Sequence, residues 1–245
     1  MTIWLRAQKV LIWWSIIMMT IYTIALLFLL HMVPPPTARW SAAQIAQFYL
    51  QHSTEVKLGA MIASWTSATI IPLTAVITVQ VYRHEAGKPP IWSVLSCVGG
   101  SMMTIWIALP PLFFGVAAFT PGRQAEVTAI MHELGVLSLL TTDQFYIFLW
   151  VAVAVICLTP NFVSHSPFPR WFGYCTIWIA LILECGAPAF LFRIGPFAWN
   201  GLMAFWVPII SFFIWLALVM TLLIRAINGQ MNELGAATPN VAVSN

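Results

Sequence analysis

The sequence predicts an all-α fold, a polytopic membrane bundle of six transmembrane helices. Of the 245 residues, 61% are hydrophobic and only 7% are charged, whereas soluble domains are about 25% charged. A spanning helix needs about 20 mostly apolar residues. Six such runs follow one another along the chain: residues 10–32, 58–82, 91–118, 134–158, 171–192 and 202–224. We therefore expect a single integral membrane domain over residues 1–245, without a separate soluble domain.

The first apolar run is predicted to be a retained helix. It is longer than the apolar region of a signal peptide and lacks a small-x-small cleavage site before Pro34. With both termini on the cytoplasmic side, six basic residues lie inside and four outside, which agrees with the positive-inside rule. The inner set is Arg6, Lys9, Arg83, Lys88, Arg170 and Arg225, and the outer set is Arg39, Lys57, Arg123 and Arg193. These observations predict a multi-pass membrane protein with both termini on the cytoplasmic side.

The longest connection, residues 34–57, is predicted to contain a short amphipathic helix on the outer side. Ser41 followed by Gln44 has the spacing of a capping box, which marks a helix start. Ile45, Phe48 and Tyr49 then recur at helical spacing, so one side of the helix is apolar. We expect this helix to lie at the membrane interface, in preference to acting as a lid over a ligand.

Two acids inside apolar runs, Asp143 and Glu184, are the best indicators of a functional site. An Asp at the centre of a membrane helix costs about 2.5–3.5 kcal/mol on insertion scales. Such groups are therefore expected to face protein, to be protonated or to contact a cavity. Pro188 adds to this expectation, because its ring removes the hydrogen bond to the carbonyl of Glu184 four residues earlier.

The fourth run carries the densest polar chemistry. Asp143 follows His132 by eleven positions, close to three helical turns, so the two share a helix face. We expect Asp143, Glu184 and His132 to line one pocket and to provide any acid–base chemistry. The expected ligand contacts come from polar and aromatic neighbours: Thr142, Tyr146, Trp178 and Gln144. An equally good interpretation is a purely structural network in which these side chains hydrogen-bond a protonated Asp143.

No metal and no cofactor is predicted. His31, His52 and His132 fall on the outer side, but no two of them have HxH or HxxxH spacing. We therefore interpret them as ordinary interfacial histidines, although imidazole suits zinc, copper or iron. The four cysteines form no CxxC pair, so a thiolate metal site is not expected.

A resemblance covers the last third of the chain and part of the outer loop. The segments GPFAWNGL (195–202), AFWVP (204–208) and FPRWFGY (168–174) are similar to an uncharacterised bacterial family of integral membrane proteins with six helices. The resemblance implies a bacterial inner membrane and no particular activity.

Three classes of function remain open from the sequence. The first is a binding protein for a hydrophobic small molecule or lipid, or an accessory subunit of a membrane complex. The second is an intramembrane enzyme performing acid–base chemistry on an apolar substrate such as a lipid, a sterol or a hydrocarbon. The third is a proton- or cation-coupled transporter. The expected partners are the bilayer, an apolar ligand and a membrane protein or a second copy, whereas the scattered charge of +3 argues against nucleic acid.

Overall fold

The computed structural model describes residues 2–141, 146–160 and 163–236. Within these ranges the regular structure is helical and contains no strand, which confirms the all-α prediction. The α-helices are α1 (Thr2–Ile24), α2 (Ala42–Gln51), α3 (Ser53–Thr66), α4 (Ile70–Tyr82), α5 (Ile91–Phe119), α6 (Ala125–Thr141), α7 (Ile147–Leu158), α8 (Arg170–Leu183) and α9 (Val207–Ala236).

Among the described residues, four short segments depart from α-helical geometry, and each adjoins an α-helix. Two are π-helical turns, Ala25–Leu29 after α1 and Leu202–Trp206 before α9. Two are 3₁₀ segments, Ser67–Thr69 between α3 and α4 and Glu184–Phe190 after α8. Pro188 lies inside the last of these, so α8 is interrupted where the proline pattern predicts.

Five of the helical segments are long and apolar enough to cross a membrane: Thr2–Leu29, Ser53–Tyr82, Ile91–Phe119, Arg170–Phe190 and Leu202–Ala236. The fourth predicted run, 134–158, differs. It is divided between α6, which begins at Ala125, and the twelve-residue α7, with residues 142–145 outside the described ranges. Helices α1, α6 and α9 also extend beyond the predicted runs, because helical hydrogen bonding continues into polar residues that a hydropathy pattern leaves out.

Helix α5 is the central element of the packing. It contacts α3, α4, α6 and α7, and further contacts connect α7 to α8, α8 to α9 and α9 to α1. Helix α1 in turn contacts α4. Each apolar segment therefore packs against the next one along the chain, and the contact between α1 and α9 closes the circle.

Adjacent glycines let α5 approach its neighbours closely. A Cβ atom on Gly99 would lie 2.6 Å from the backbone nitrogen of Leu149 in α7, and one on Gly100 would collide with Thr74 of α4. Small residues commonly allow such close backbone approach between membrane helices. The pair therefore fixes the distance of α5 from α4 on one side and from α7 on the other.

Hydrogen bonds gather distant parts of the chain at one end of the bundle, which we name the near end. Lys9 donates to the side-chain oxygen of Asn228 at 2.9 Å, which joins the first turns of α1 to α9. Gln80 near the end of α4 donates to Gln8 at 2.8 Å. Arg83 donates to the carbonyl of Ser164 at 2.9 Å, so the segment before α8 also lies at the near end.

The opposite end, named the far end, is held by a second set of contacts. His31 pairs with Glu55 at 2.7 Å, which joins the segment after α1 to the first turn of α3. The indole of Trp199 donates to the carbonyl of Pro36 at 2.6 Å. Ser53 donates to the carbonyl of Ala118 at 3.4 Å, so the end of α5 lies here as well.

Helix α2 covers the far end and confirms the predicted amphipathic helix. Ser41 accepts from the backbone of Gln44, and the Gln44 side chain accepts from the backbone of Ser41, as in a capping box. Ile45 and Tyr49 are buried, because the apolar side of α2 packs against α6 and also contacts α3 and α5.

We expect Gly99→Ala to lower the free energy of unfolding by about 1–3 kcal/mol, a typical cost of overpacking. The new methyl group would meet backbone atoms of α7, which cannot rotate away. Unfolding of the detergent-solubilised protein measures the change. Gly235→Ala in α9 is the matched control, because a Cβ there has no neighbour within 4 Å. Equal stability of the two variants would contradict the tight α5–α7 contact.

Candidate functional site

Three of the predicted site residues, Asp143, Thr142 and Gln144, lie outside the described ranges, so their meeting with Glu184 stays a prediction. Glu184 itself is half-buried and begins the 3₁₀ segment after α8. That segment packs against α6, and a Cβ on Gly186 would collide with the carbonyl oxygen of Leu140. The segment that carries Glu184 therefore lies beside the end of α6.

The other predicted site residues occupy different surroundings. Tyr146 is buried, and its ring contacts Trp106 and Trp150 in the interior of the bundle. Trp178 projects from α8 with 67% of its surface exposed. His132 is fully buried in the first half of α6. Tyr146, Trp178 and His132 therefore have different surroundings, and the common pocket expected from the sequence stays a prediction.

Aromatic rings contact His132 on several sides. The Tyr49 hydroxyl and His132 Nδ1 are 3.0 Å apart, and Phe114 and Trp199 contact the imidazole ring. Burial raises the pKa of Tyr49 far above its usual range, so the phenol stays protonated and available as the partner of Nδ1. His132 Nε2 is buried and has no hydrogen-bond partner among the described residues.

A large apolar cavity opens between α1 and α9. Its volume is about 490 Å³, within the range of small-molecule sites. Trp106 and Ile107 of α5 and Leu139 of α6 line part of the cavity wall. The remaining lining residues come from α1, α9 and the segments beside them: Met19, Tyr22, Thr23, Leu26, Leu27, Val33, Trp206, Ile209, Ile210, Phe212, Phe213, Ile214 and Ala217. A groove of about 480 Å³ continues from it along α1 and α9 and shares Met19, Thr23, Phe213 and Ala217.

Three polar groups in the cavity wall are paired within the protein. Tyr22 donates its hydroxyl to the carbonyl of Ile107 at 3.0 Å. Thr23 donates to the carbonyl of Met19 at 2.8 Å, one turn earlier in α1. The indole of Trp106 donates to the carbonyl of Leu139. These three groups therefore keep their hydrogens away from an occupant, which would meet mainly hydrocarbon and aromatic surface.

Both π-helical turns contribute to this cavity. Leu26 and Leu27 belong to the turn after α1, and Trp206 ends the turn before α9. A π-turn changes the direction of side chains within a helix and is frequent at functional sites. Pro208, the second residue of α9, follows the second turn. In the sequence, Pro208 indicated an interrupted helix in this region, whereas π-turns leave no simple residue pattern.

A cluster of potential metal ligands lies at the far end. His31, His52 and Glu55 each offer one ligand atom, and these atoms all lie within 4.8 Å of one another. The three side chains are partly exposed, whereas His132 is buried. The sequence did contain a signal for two of them, because His52 and Glu55 are three positions apart in a helical segment.

In comparisons with known proteins, no family model, curated protein or solved structure matches this chain. The resemblance of residues 168–174 and 195–208 to a bacterial membrane family stays a prediction.

Proposed function

We propose that this protein binds a hydrocarbon chain, from a lipid or from an apolar small molecule, in the cavity between α1 and α9. The observation that carries the proposal is the combination of volume and chemistry. A cavity of about 490 Å³ has walls in which the hydroxyls of Tyr22 and Thr23 and the indole of Trp106 are paired internally. A polar or charged ligand would lose its hydration there and find few hydrogen-bond partners. An apolar chain has no hydrogen bonds to water that it would have to give up.

The rim of the cavity supports entry from the side, directly from the bilayer. Ile210, Ile214 and Phe213 of α9 are 54%, 50% and 37% exposed, and Leu27 beyond α1 is 37% exposed. These residues belong to two of the segments apolar enough to cross a membrane. A ligand dissolved in the hydrocarbon layer therefore needs no passage through water to reach the cavity.

We further propose six membrane crossings, with both termini on the cytoplasmic side of a bacterial inner membrane. Helices α6 and α7 would form the sixth crossing beside the five long segments. The near end joins both terminal helices to the segment after α4, which supports an even number of crossings.

The loop after α4 also favours the inner side. Its only acid, Glu85, accepts the backbone N–H groups of Trp92 and Ser93 at 2.7 and 3.0 Å, which leaves Arg83 and Lys88 as its cations.

The enzyme alternative depends on Asp143 and Glu184 acting together. The position of Glu184 beside the end of α6 is compatible with this chemistry, but Asp143 lies outside the described residues. The hydrocarbon cavity does not depend on either acid, so binding is the function that the described geometry supports best.

Filling the cavity is expected to abolish hydrocarbon binding. Ala217 lines both the cavity and the groove that continues from it, so Ala217→Trp would occupy the entrance. The probe is a fatty acid that carries a diazirine near the end of its chain, photolysed with the purified protein in mixed micelles. Mass spectrometry then locates the labelled peptides. We expect wild-type labelling to concentrate on α1 and α9, and Ala217→Trp to reduce it at least fivefold.

Val98→Trp is the matched control, because it adds the same side chain at an exposed position of α5 where Val98 is 57% exposed. This variant should keep wild-type labelling, and equal thermal stability of both variants ensures that folding is intact. Labelling spread evenly over all apolar faces, or undiminished by Ala217→Trp, would overturn the proposed site.

Reporter fusions test the proposed orientation. A reporter inserted between Glu85 and Lys88, or fused after residue 236, should be active only in its cytoplasmic form, because both positions belong to the near end. A reporter in the loop at Gly122 should be active only in its periplasmic form. A periplasmic signal from either near-end position would contradict six crossings with cytoplasmic termini.

A further inference from the structure

We propose that His31, His52 and Glu55 form a binding site for a divalent transition-metal ion, with zinc as the ion that the donor set fits best. Two imidazoles and one carboxylate are ligands that zinc and iron(II) accept together. The three donor atoms lie within 4.8 Å of one another. This site lies at the far end, and it is independent of the hydrocarbon cavity.

Breaks in the helices bring the three ligands together. His31 follows the π-helical turn Ala25–Leu29 and has a φ of 55°, in the left-handed region that is unfavourable for residues other than glycine. His52 is the single residue between α2 and α3. Glu55 follows in the first turn of α3, where the helix dipole favours an ionised carboxylate. The backbone thus places each of the three ligands near the end of a helix.

The hydrogen bond of His52 sets a tautomer that suits coordination through Nε2. His52 Nδ1 lies 3.0 Å from the carbonyl oxygen of Phe48, and because a carbonyl only accepts, Nδ1 must carry the hydrogen. In the neutral ring the lone pair is then on Nε2, the form in which imidazole binds metals. A hydrogen bond from the other ring nitrogen to a backbone carbonyl is the usual second support of a metal-bound histidine.

The distances fit an ion with a small adjustment of side chains. Zinc–ligand bonds near 2.0–2.1 Å place tetrahedral donor atoms about 3.3 Å apart. His31 Nε2 and Glu55 Oε2 are 2.7 Å apart, with a hydrogen between them. A bound metal would replace that hydrogen and separate the pair slightly, while the farthest donor atoms would approach by about 1.5 Å. The partly exposed side chains of His31 and Glu55, at 35% and 53%, are free to make this movement.

The protein contains a natural comparison in His165 and Glu233 at the near end. These two side chains form an exposed ion pair at 3.7 Å, and no third ligand joins them among the residues that the structure describes. Two ligands alone would bind a metal ion only weakly. The distinguishing feature of the far-end cluster is His52, which supplies the third donor and leaves the fourth tetrahedral position for water or another ligand.

Zinc titration of the full chain tests the site. The protein is purified in detergent with an affinity tag that contains no histidine, treated with a chelator and titrated with Zn²⁺ in a calorimeter. We expect one ion per chain with micromolar or tighter affinity. His52→Gln and Glu55→Gln should each weaken binding at least tenfold, and His165→Gln should leave it unchanged.

Separate titrations with Mg²⁺ and Ca²⁺ distinguish the proposed site from a simple carboxylate site, because these hard ions prefer oxygen ligands. Heat-unfolding curves without metal check that the variants fold as the wild type does. Absence of one-to-one Zn²⁺ binding, binding unaffected by His52→Gln and Glu55→Gln, or equal affinity for Mg²⁺ would each overturn the proposal.

Discussion

The constraint on which the architecture depends is the free-energy cost of burying a polar group among apolar helices without a hydrogen-bond partner. Ser15 of α1 and Thr69 of the 3₁₀ segment donate to each other's backbone carbonyls at 2.7 and 2.8 Å, and both are buried. The indole of Trp215 donates to the hydroxyl of Thr176 at 3.1 Å. Such pairs join α1 to the α3–α4 segment and α8 to α9.

The same constraint gives the cavity its chemistry. Its Tyr22 and Thr23 hydroxyls serve the backbone of α5 and α1, so the wall presents carbon to an occupant. Ionisable side chains contact each other mainly at the two ends of the bundle, where His31 pairs with Glu55 and His165 with Glu233. The cavity is therefore the proposed site for a hydrocarbon chain, and the cluster at the far end is the proposed site for a metal ion.

Composition and helical periodicity predict much of this fold. They identify the helical class, the segments that become the five long apolar helices, and α2 with its cap at Ser41. These features are local, because a helix start or an apolar run is set by residues within a few turns. The fourth run was less predictable, since hydropathy does not register the polar first turns of α6, such as Glu126 and His132.

The candidate sites were harder to predict because they are assembled from distant parts of the chain. The cavity depends on α1 packing beside α9, and on two π-turns that leave no residue pattern. The metal cluster needs His31, which a left-handed residue conformation brings to Glu55. The expected convergence of His132 with Asp143 and Glu184 rested on one helix face. In the structure His132 packs among Tyr49, Phe114 and Trp199, and its meeting with Asp143 and Glu184 stays a prediction.

The most direct test of the account is a structure determined by electron cryomicroscopy in lipid nanodiscs, with a bound antibody fragment to add mass. We expect elongated density, of the shape of a lipid tail or an apolar molecule, between Leu27, Trp106 and Ile210. A cavity that is closed by contact of α1 with α9, or that contains separate water-sized peaks, would contradict it.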